Sequence, residues 1–336
     1  MHGPQGVGSG SLNRVFLGLE SGGTKLCASL CDDEERSLGF IASRRSENAS
    51  AEETLPALIS LGKQALQNYR SGKDELAGVG WGFGGLVDRE KNSPVVNYHE
   101  KGWDQIAATA RLEEALGAPV TVENDCKLAG LAEAHHGAGL TRGLVIYLTL
   151  GSGIGGSLIW NGEILALGRW GEMEVGHIEV VPGGAPCACG RRGCLEAYCS
   201  GWGLGERARE RAADPGVQSS VARELLTCPP GDRARLLLAA WPADPFAREV
   251  AGDFVEKLSS VCAQLTLMLS PVRVVLGGGL SRATGLVAAV GEATAARLPE
   301  RMRGGTIFAH SKLDEAAVSF GAAMYARRKS VLSAHG

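Results

Sequence analysis

Twice along this chain an apolar strand runs into a short glycine-rich turn and leaves it directly as another strand. Val15–Leu19 passes through SGGTK (21–25) into Leu26–Leu30, and Leu144–Leu150 passes through GSGIGG (151–156) into Ser157–Trp160. A strand, tight turn and strand make a hairpin. Neither turn opens the helix that a dinucleotide-binding fold needs immediately after its glycines. That decides two texts that otherwise mislead: Gly80-x-Gly82-x-x-Gly85 and Gly151-x-Gly153-x-x-Gly156 both match the dinucleotide fingerprint. The first is followed by the loop sequence LVDREKNSP and the second by β-like SLIW, so the fingerprint reading is rejected. GGTK also lacks the Gly-Lys-Ser/Thr order of a P-loop. What remains is backbone N–H groups laid open by glycine, which can cradle phosphate oxygens without a helix.

The repeated hairpin reads as a duplication of a β-hairpin motif inside a two-domain α/β chain, and 336 residues are enough for two cores. Apolar periodicity predicts helices over Thr54–Tyr69, Trp103–Leu116, Lys127–His136, Leu195–Ala212, Arg233–Ala240, Phe246–Leu269 and Leu313–Arg328. Further strands are predicted over Ala77–Phe83, Pro119–Val122 and Val272–Leu276, and residues 1–14 are polar, glycine-rich and expected to be disordered. The 48 glycines are about twice the roughly 7% of average usage and cluster in short loops, which points to close backbone approach to ligands.

A second feature carries chemistry. The stretch GEMEVGHIEVVPGGAPCACGRRGCLEAYCSG (171–201) sets His177, Cys187, Cys189 and Cys194 in one loop, with Glu174 and Glu196 beside them. Three thiols and an imidazole are the donor set of a closed structural zinc site. The spacing is not that of a zinc finger, because there is no C-x-x-C and no second Cys/His pair. The chain's nine cysteines are odd in number, and Cys27 and Cys262 sit in apolar runs as small buried hydrophobes, so a disulfide framework is not indicated.

The pattern E-x-G-H followed by C-x-C-G-x-x-G-C-x-E-x-Y-x-S-G resembles the signature of the ROK family of repressors, open reading frames and sugar kinases. The resemblance runs from Val15 to the last helix. It implies the two-domain actin-like ATPase (ribonuclease H-like) fold with its ligands in the cleft between domains. Residues 15–135 with the C-terminal helix 313–336 would form a small α/β domain, and 136–312, with the zinc loop, a large one. SGGTK resembles the family's first phosphate loop, which assigns ATP to Gly22, Gly23, Thr24 and Lys25. LTLGSGIGG (148–156) resembles the second, with Gly151, Ser152 and Gly153, and LGGGLS (276–281) the loop at the base and ribose, with Gly277, Gly278 and Gly279. Glu20 stands where the family usually has Asp and would hold Mg2+ through water.

By the same resemblance Asp125 is the general base, and the chemistry agrees, since a carboxylate can take a sugar hydroxyl's proton as the phosphoryl group arrives. Helix capping is the competing account of Asn124 and Asp125, and it would explain one of them, not both. The family's N-D-A-N is N-D-C-K here, so Lys127 departs from the pattern. The implied sugar pocket is Gly84, Gly85, Asn97, Asn124, Asp125, Glu174, His177 and Glu196. His177 would serve twice, with one ring nitrogen on zinc and the other edge near the sugar.

Together these readings specify an ATP- and magnesium-dependent hexose kinase with a structural zinc, acting on glucose. The alternatives are an N-acetylglucosamine or N-acetylmannosamine kinase, or a fructokinase, and, from other classes, a non-catalytic sugar-responsive transcriptional regulator or an idle sugar binder. Only 21 residues precede Gly22, too few for a DNA-binding unit, and a net charge of -3 gives no reason to expect nucleic acid. No apolar run is long enough to span a bilayer, no signal peptide is recognisable, and a cytoplasmic enzyme is expected. ROK kinases are typically dimers or tetramers, and the apolar Leu225, Leu226 and Leu236–Leu238 hint at such a homo-oligomer.

Overall fold

The computed structural model describes residues 13–23, 25–45, 49–72, 74–97, 100–168 and 173–333. The first half runs β1 (Asn13–Ser21), β2 (Lys25–Asp32), β3 (Ser37–Arg44), α1 (Ala51–Tyr69), β4 (Asp74–Phe83), β5 (Leu86–Asp88), β6 (Ser93–Val96), α2 (Ala108–Leu116), β7 (Val120–Asn124) and α3 (Asp125–His136). The second runs β8 (Leu144–Leu150), β9 (Ile154–Trp160), β10 (Glu163–Ile164), α4 (Glu196–Cys199), α5 (Gly201–Ala212), α6 (Ser220–Thr227), α7 (Arg233–Ala240), α8 (Pro245–Leu269), β11 (Arg273–Gly277), α9 (Leu286–Ala296), β12 (Ile307–His310) and α10 (Ala317–Ser333).

The duplication read from the two hairpins extends to whole sheets. One sheet has the order β3-β2-β1-β4-β7 and the other β10-β9-β8-β11-β12. In each, the first three strands are antiparallel neighbours and the last three are parallel. Helices α1 and α2 cover the outer face of the first sheet around Leu17, Leu55, Leu58, Trp81 and Leu112. Helices α5 to α9 cover the second around Leu148, Leu204, Phe254 and Val274. A third core joins the halves: Phe16 of β1, Tyr147 of β8, Ile159 of β9 and Val275 of β11 meet α3 and α10 between the sheets. That is why α3 is buried from Cys126 to Ala134 on every side, a pattern expected of a central helix rather than an amphipathic one.

Glycine sets how closely α10 approaches. Gly18 and Gly80 are register partners on neighbouring strands, and Cβ atoms there would lie 1.8 Å from the Ser319 carbonyl oxygen and 1.9 Å from that of Ala322. Gly80 and Gly82, two of the three glycines of the first apparent dinucleotide fingerprint, therefore lie inside β4 as packing residues. Gly80→Ala has to push a helix backbone off the sheet. Overpacking typically costs about 1–3 kcal/mol, and this contact belongs at the upper end because backbone cannot swing aside. A loss of unfolding free energy of that size, read as a lower urea midpoint, is expected, and an unchanged midpoint would contradict the close packing.

Several predicted elements are corrected. The helix expected over Leu195–Ala212 is two helices, because Ser200 is extended (φ -85°, ψ 171°) and caps α5 by accepting the Gly203 N–H. The helix expected from Trp103 begins at Ala108; Trp103 instead packs against Trp81 and Phe83 with centroids 5.2 and 5.5 Å away. The last helix starts at Ala317, after a single 3-10 turn. Asn13 and Arg14, placed in the disordered tail, belong to β1, and residues 1–12 of that tail lie outside the described residues. Leu225, Leu237 and Leu238, read as a hint of a homo-oligomer, are core. No helix among the described residues is long and apolar enough to cross a membrane.

Candidate active site

In open α/β sheets ligands collect beyond the carboxyl ends of the parallel strands. Here those ends carry the residues singled out from sequence: Glu20 on β1, Gly84 just after β4, Asp125 just after β7, Gly151 just after β8 and Gly277 on β11. Contacts across the gap show that the two sets face one another. A Cβ on Gly23 would lie 3.4 Å from Ser152 Oγ, and one on Gly155 would lie 2.5 Å from Cys126 Sγ.

Asp125 opens α3 and is partly buried. A Cβ on Gly84 would sit 3.5 Å from Asp125 Oδ2 and 3.9 Å from Asn97 Nδ2, so glycine is what leaves space between these two polar groups. Burial raises the Asp125 carboxyl to about 6, with hydrogen bonds from Cys126 holding it down and the negative Glu174 across the gap pushing it up. A carboxylate tuned near neutral and open to a cleft is suited to proton abstraction. Asn124 is the cap: its side chain accepts from the N–H groups of Cys126 (3.0 Å) and Lys127 (3.3 Å) and donates to the Gly85 carbonyl (3.1 Å). Capping thus explains Asn124 and leaves Asp125 for chemistry. Gly85 itself has no room for a side chain, because a Cβ would lie 2.2 Å from the Val96 carbonyl oxygen.

Glu20 is 7% exposed, and its Oε2 has no hydrogen-bond partner among the described residues. Burial lifts its carboxyl to about 7; Lys25 opposes the rise and Asp125 adds to it. An orphaned carboxylate oxygen beside a second carboxylate fits a cation. The residues present therefore suit the magnesium expected there, held directly or through water. Lys25 Nζ is 3.5 Å from the Glu315 carbonyl at the site's edge, and Thr24 lies outside the described residues.

The second glycine loop is braced from two sides. Gly201 N–H, at the start of α5, donates to the Gly151 carbonyl (2.8 Å), and Ile154 N–H donates to Glu196 Oε2 (2.9 Å). Glu196, expected on the sugar, thus has one oxygen committed to that loop. Gly278 adopts φ +80°, and a Cβ there would lie 2.6 Å from the Leu150 carbonyl oxygen, so the third loop packs against the second. Gly279 borders open space.

His177, Cys187, Cys189 and Cys194 converge, with their ligand atoms all within 4.8 Å of one another. Cys187 Sγ is 3.7 Å from His177 Nδ1, and Cys189 Sγ is 3.8 Å from Cys194 Sγ. Sulfurs about 2.3 Å from a tetrahedral ion stand about 3.8 Å apart, whereas a disulfide needs about 2.05 Å. The cluster could hold a metal. His177 turns its other nitrogen, Nε2, toward Glu174 Oε2 at 3.9 Å.

Sequence reasoning missed the charges buried beneath these loops. Glu123, 2% exposed, receives Arg89 Nε at 2.7 Å and Lys127 Nζ at 3.9 Å, so the departure at Lys127 is absorbed in an ion pair. Arg89 Nη1 also reaches the Gly168 carbonyl at 3.2 Å. Arg45 pairs with Glu100 at 2.8 Å. The available signal was Glu123 in the apolar strand VTVEN, since a charge there requires a partner.

The family model described as "ROK family" matches residues 16–329. A glucokinase of Halalkalibacterium halodurans is 32% identical over 275 residues, covering 81% of this chain and 82% of its own. An N-acetylmannosamine kinase of Citrobacter koseri is 29% identical over 275 residues, covering 82% and 86%. Among solved structures, a ROK family glucokinase from Streptomyces griseus in complex with glucose and AMPPNP superposes with a TM-score of 0.79 at 28% identity, covering 94% of this chain and 99% of that one.

Proposed function

The chain belongs to the ROK family, and we propose that it is an ATP-dependent hexose kinase whose sugar is glucose. Its fold is the actin-like ATPase fold. The observation that carries the reading is Asp125: a near-neutral carboxyl open to the cleft between the two sheets, with glycine loops on the far side. In this reading Asp125 takes the proton of the attacking sugar hydroxyl while that oxygen bonds to the γ-phosphorus and the bond to ADP breaks. Asn97, Glu174, His177 and the second oxygen of Glu196 would hold the remaining hydroxyls. The 22–25, 151–153 and 277–279 loops would take the nucleotide. Magnesium, when bound at Glu20, supplies charge neutralisation at the phosphates.

To the thiol cluster we assign a zinc ion, on its donor set and spacing. A regulator or idle sugar binder has no need of a buried orphan carboxylate beside a near-neutral base, which favours the kinase. Exposed Trp160, Val272 and Ile307 support the expected homodimer or homotetramer. Nine unpaired thiols suit the reducing cytoplasm.

Glucose is favoured by the glucokinase relatives and by the two carboxylates, Glu174 and Glu196, expected at the sugar. A 2-hydroxyl hydrogen-bonded to such a group is replaced by a bulkier acetamido in the N-acetyl sugars, and a lost charged hydrogen bond costs about 1.5–3 kcal/mol. A coupled ADP assay with ATP, magnesium and a sugar panel is expected to give glucose a kcat/KM at least tens-fold above N-acetylglucosamine, N-acetylmannosamine and fructose. An N-acetyl sugar or fructose exceeding glucose would overturn the sugar and leave the kinase standing; no turnover with any sugar would overturn both.

A further inference from the structure

We infer that the buried pair Arg45–Glu100 is a positioning device that sets the nucleotide loop and the sugar loop together, an inference that rests on the kinase reading above. Arg45 follows β3 and Glu100 lies between β6 and α2, and neither carries a motif. Their side chains are 8% and 1% exposed and 2.8 Å apart. Burying such a pair without further partners is costly, so the partners it has are informative.

Arg45 Nη1 donates to the Gly22 carbonyl at 3.0 Å, and Nη2 to the Ala49 carbonyl at 2.9 Å. The carbonyl of Gly22 and the N–H of Gly23 share one planar trans peptide and point in opposite directions. Anchoring that carbonyl on Arg45 therefore turns the Gly23 N–H away from Arg45. Gly23 is also the residue that faces Ser152 of the second glycine loop. Arg45 thus fixes the aim of a phosphate donor that a glycine-rich turn would otherwise leave loose.

Glu100 works toward the other substrate. Its backbone N–H donates to Asn97 Oδ1 at 3.1 Å, which fixes the amide so that Nδ2 is the end toward Gly84 and Asp125. Its carboxylate accepts the Thr54 hydroxyl at 2.6 Å, tying the segment to the first turn of α1. Glu100 Oε2 and Arg45 Nε have no hydrogen-bond partner among the described residues. One ion pair thereby joins the first phosphate loop to the residue that presents an amide to the sugar.

The test is steady-state kinetics of Arg45→Met, Arg45→Lys and Glu100→Gln in the full chain, with KM for ATP and for glucose measured separately and thermal unfolding followed alongside. Arg45→Met is expected to raise KM for ATP about tenfold or more, the loss of one charge-assisted hydrogen bond, with kcat changed by much less. Arg45→Lys, which keeps the charge but not the two-pronged reach, is expected to recover only part of that loss. Glu100→Gln is expected to raise both KM values. Arg111→Gln, which breaks the exposed Arg111–Glu52 pair of the same half, serves as the control and should change neither. Variants that melt earlier but keep wild-type KM values would reduce the pair to a structural one and overturn the proposal. A wild-type enzyme without kinase activity would instead overturn the reading on which it rests.

Discussion

Asp125→Asn is expected to lower kcat by about 10²–10⁴-fold with KM for both substrates nearly unchanged, since this is what removal of a general base commonly costs. The substitution is close to isosteric. The amide oxygen can still accept the Cys126 N–H that now bonds Asp125 Oδ1 at 2.7 Å, so the start of α3 should survive. The wild-type rate should also fall as pH drops through about 6, where the raised carboxyl takes up its proton, and this acid limb should vanish in the variant. Stability moves the other way. The folded-state value is raised above that of the unfolded chain, so the site is least costly to folding below about pH 4 and most costly above 6. Asp125→Asn should therefore stabilise the ligand-free protein at pH 8 and not at pH 4. A variant that keeps most of its kcat would show Asp125 to be no more than the first residue of a helix.

How much of this could be read from the chain depends on whether a residue's role is local. The hairpins flanking residues 21–25 and 151–156 were legible because alternating apolar strands and glycine turns are local signals, and they exposed the duplication. Asp125, the glycine loops and the thiol cluster were legible because each is a short motif. The outer strands β3 and β12 and the small β5–β6 ribbon were not. Their half-exposed residues carry little apolar contrast, and pairing with an existing sheet edge holds them. Helix α9, alanine-rich with few buried residues, was passed over for the same reason. The break at Ser200 was hidden because both flanking segments have helical composition; it takes the Gly201–Gly151 contact to show why the chain turns there.

Buried ion pairs are the other class that sequence conceals. Arg45 and Glu100 are 55 positions apart, and Arg89 and Glu123 are 34 apart; Glu123 in VTVEN shows that a partner is needed, but nothing in the text names it. Only the fold brings them together, and then the desolvation cost makes each partner obligatory. Site residues can hence be found by motif while the groups that aim them cannot. The same division explains Lys127, a departure from the family pattern that leaves Asp125 in place because the new charge is taken up by Glu123 below it.

Cys194→Ser is expected to drop zinc from about one equivalent per chain to a small fraction, and to raise KM for glucose and for ATP together. The loop it anchors is held by backbone hydrogen bonds, such as Val180 N–H to the Gly193 carbonyl and Cys187 N–H to that of Arg191, and by a small apolar cluster. Only Cys187, Cys194 and Ala197 are buried in its own cluster, with Ala185, Cys189, Tyr198 and Trp202 partly so, and Gly183, Gly190 and Gly193 all adopt positive φ. A core that small lends the segment little, so a bound ion would add to its order. Its ligands also adjoin the site at both ends. His177 lies three residues after Glu174, whose carboxylate its Nε2 faces, and Cys194 lies two before Glu196, which holds the Ile154 N–H of the second glycine loop. Releasing Cys194 is therefore expected to loosen Glu174 and the 151–156 loop at once, the residue proposed for the sugar and the loop proposed for the nucleotide. Loss of a partner one shell out commonly costs about 10–100-fold in metal affinity, and loss of a ligand should exceed that. Cys228→Ser, outside the cluster, should retain metal and both KM values. Metal analysis finding no zinc in wild-type protein purified without chelator would remove the ion from this account, and a zinc-free Cys194→Ser protein with wild-type kinetics would remove its role in the site.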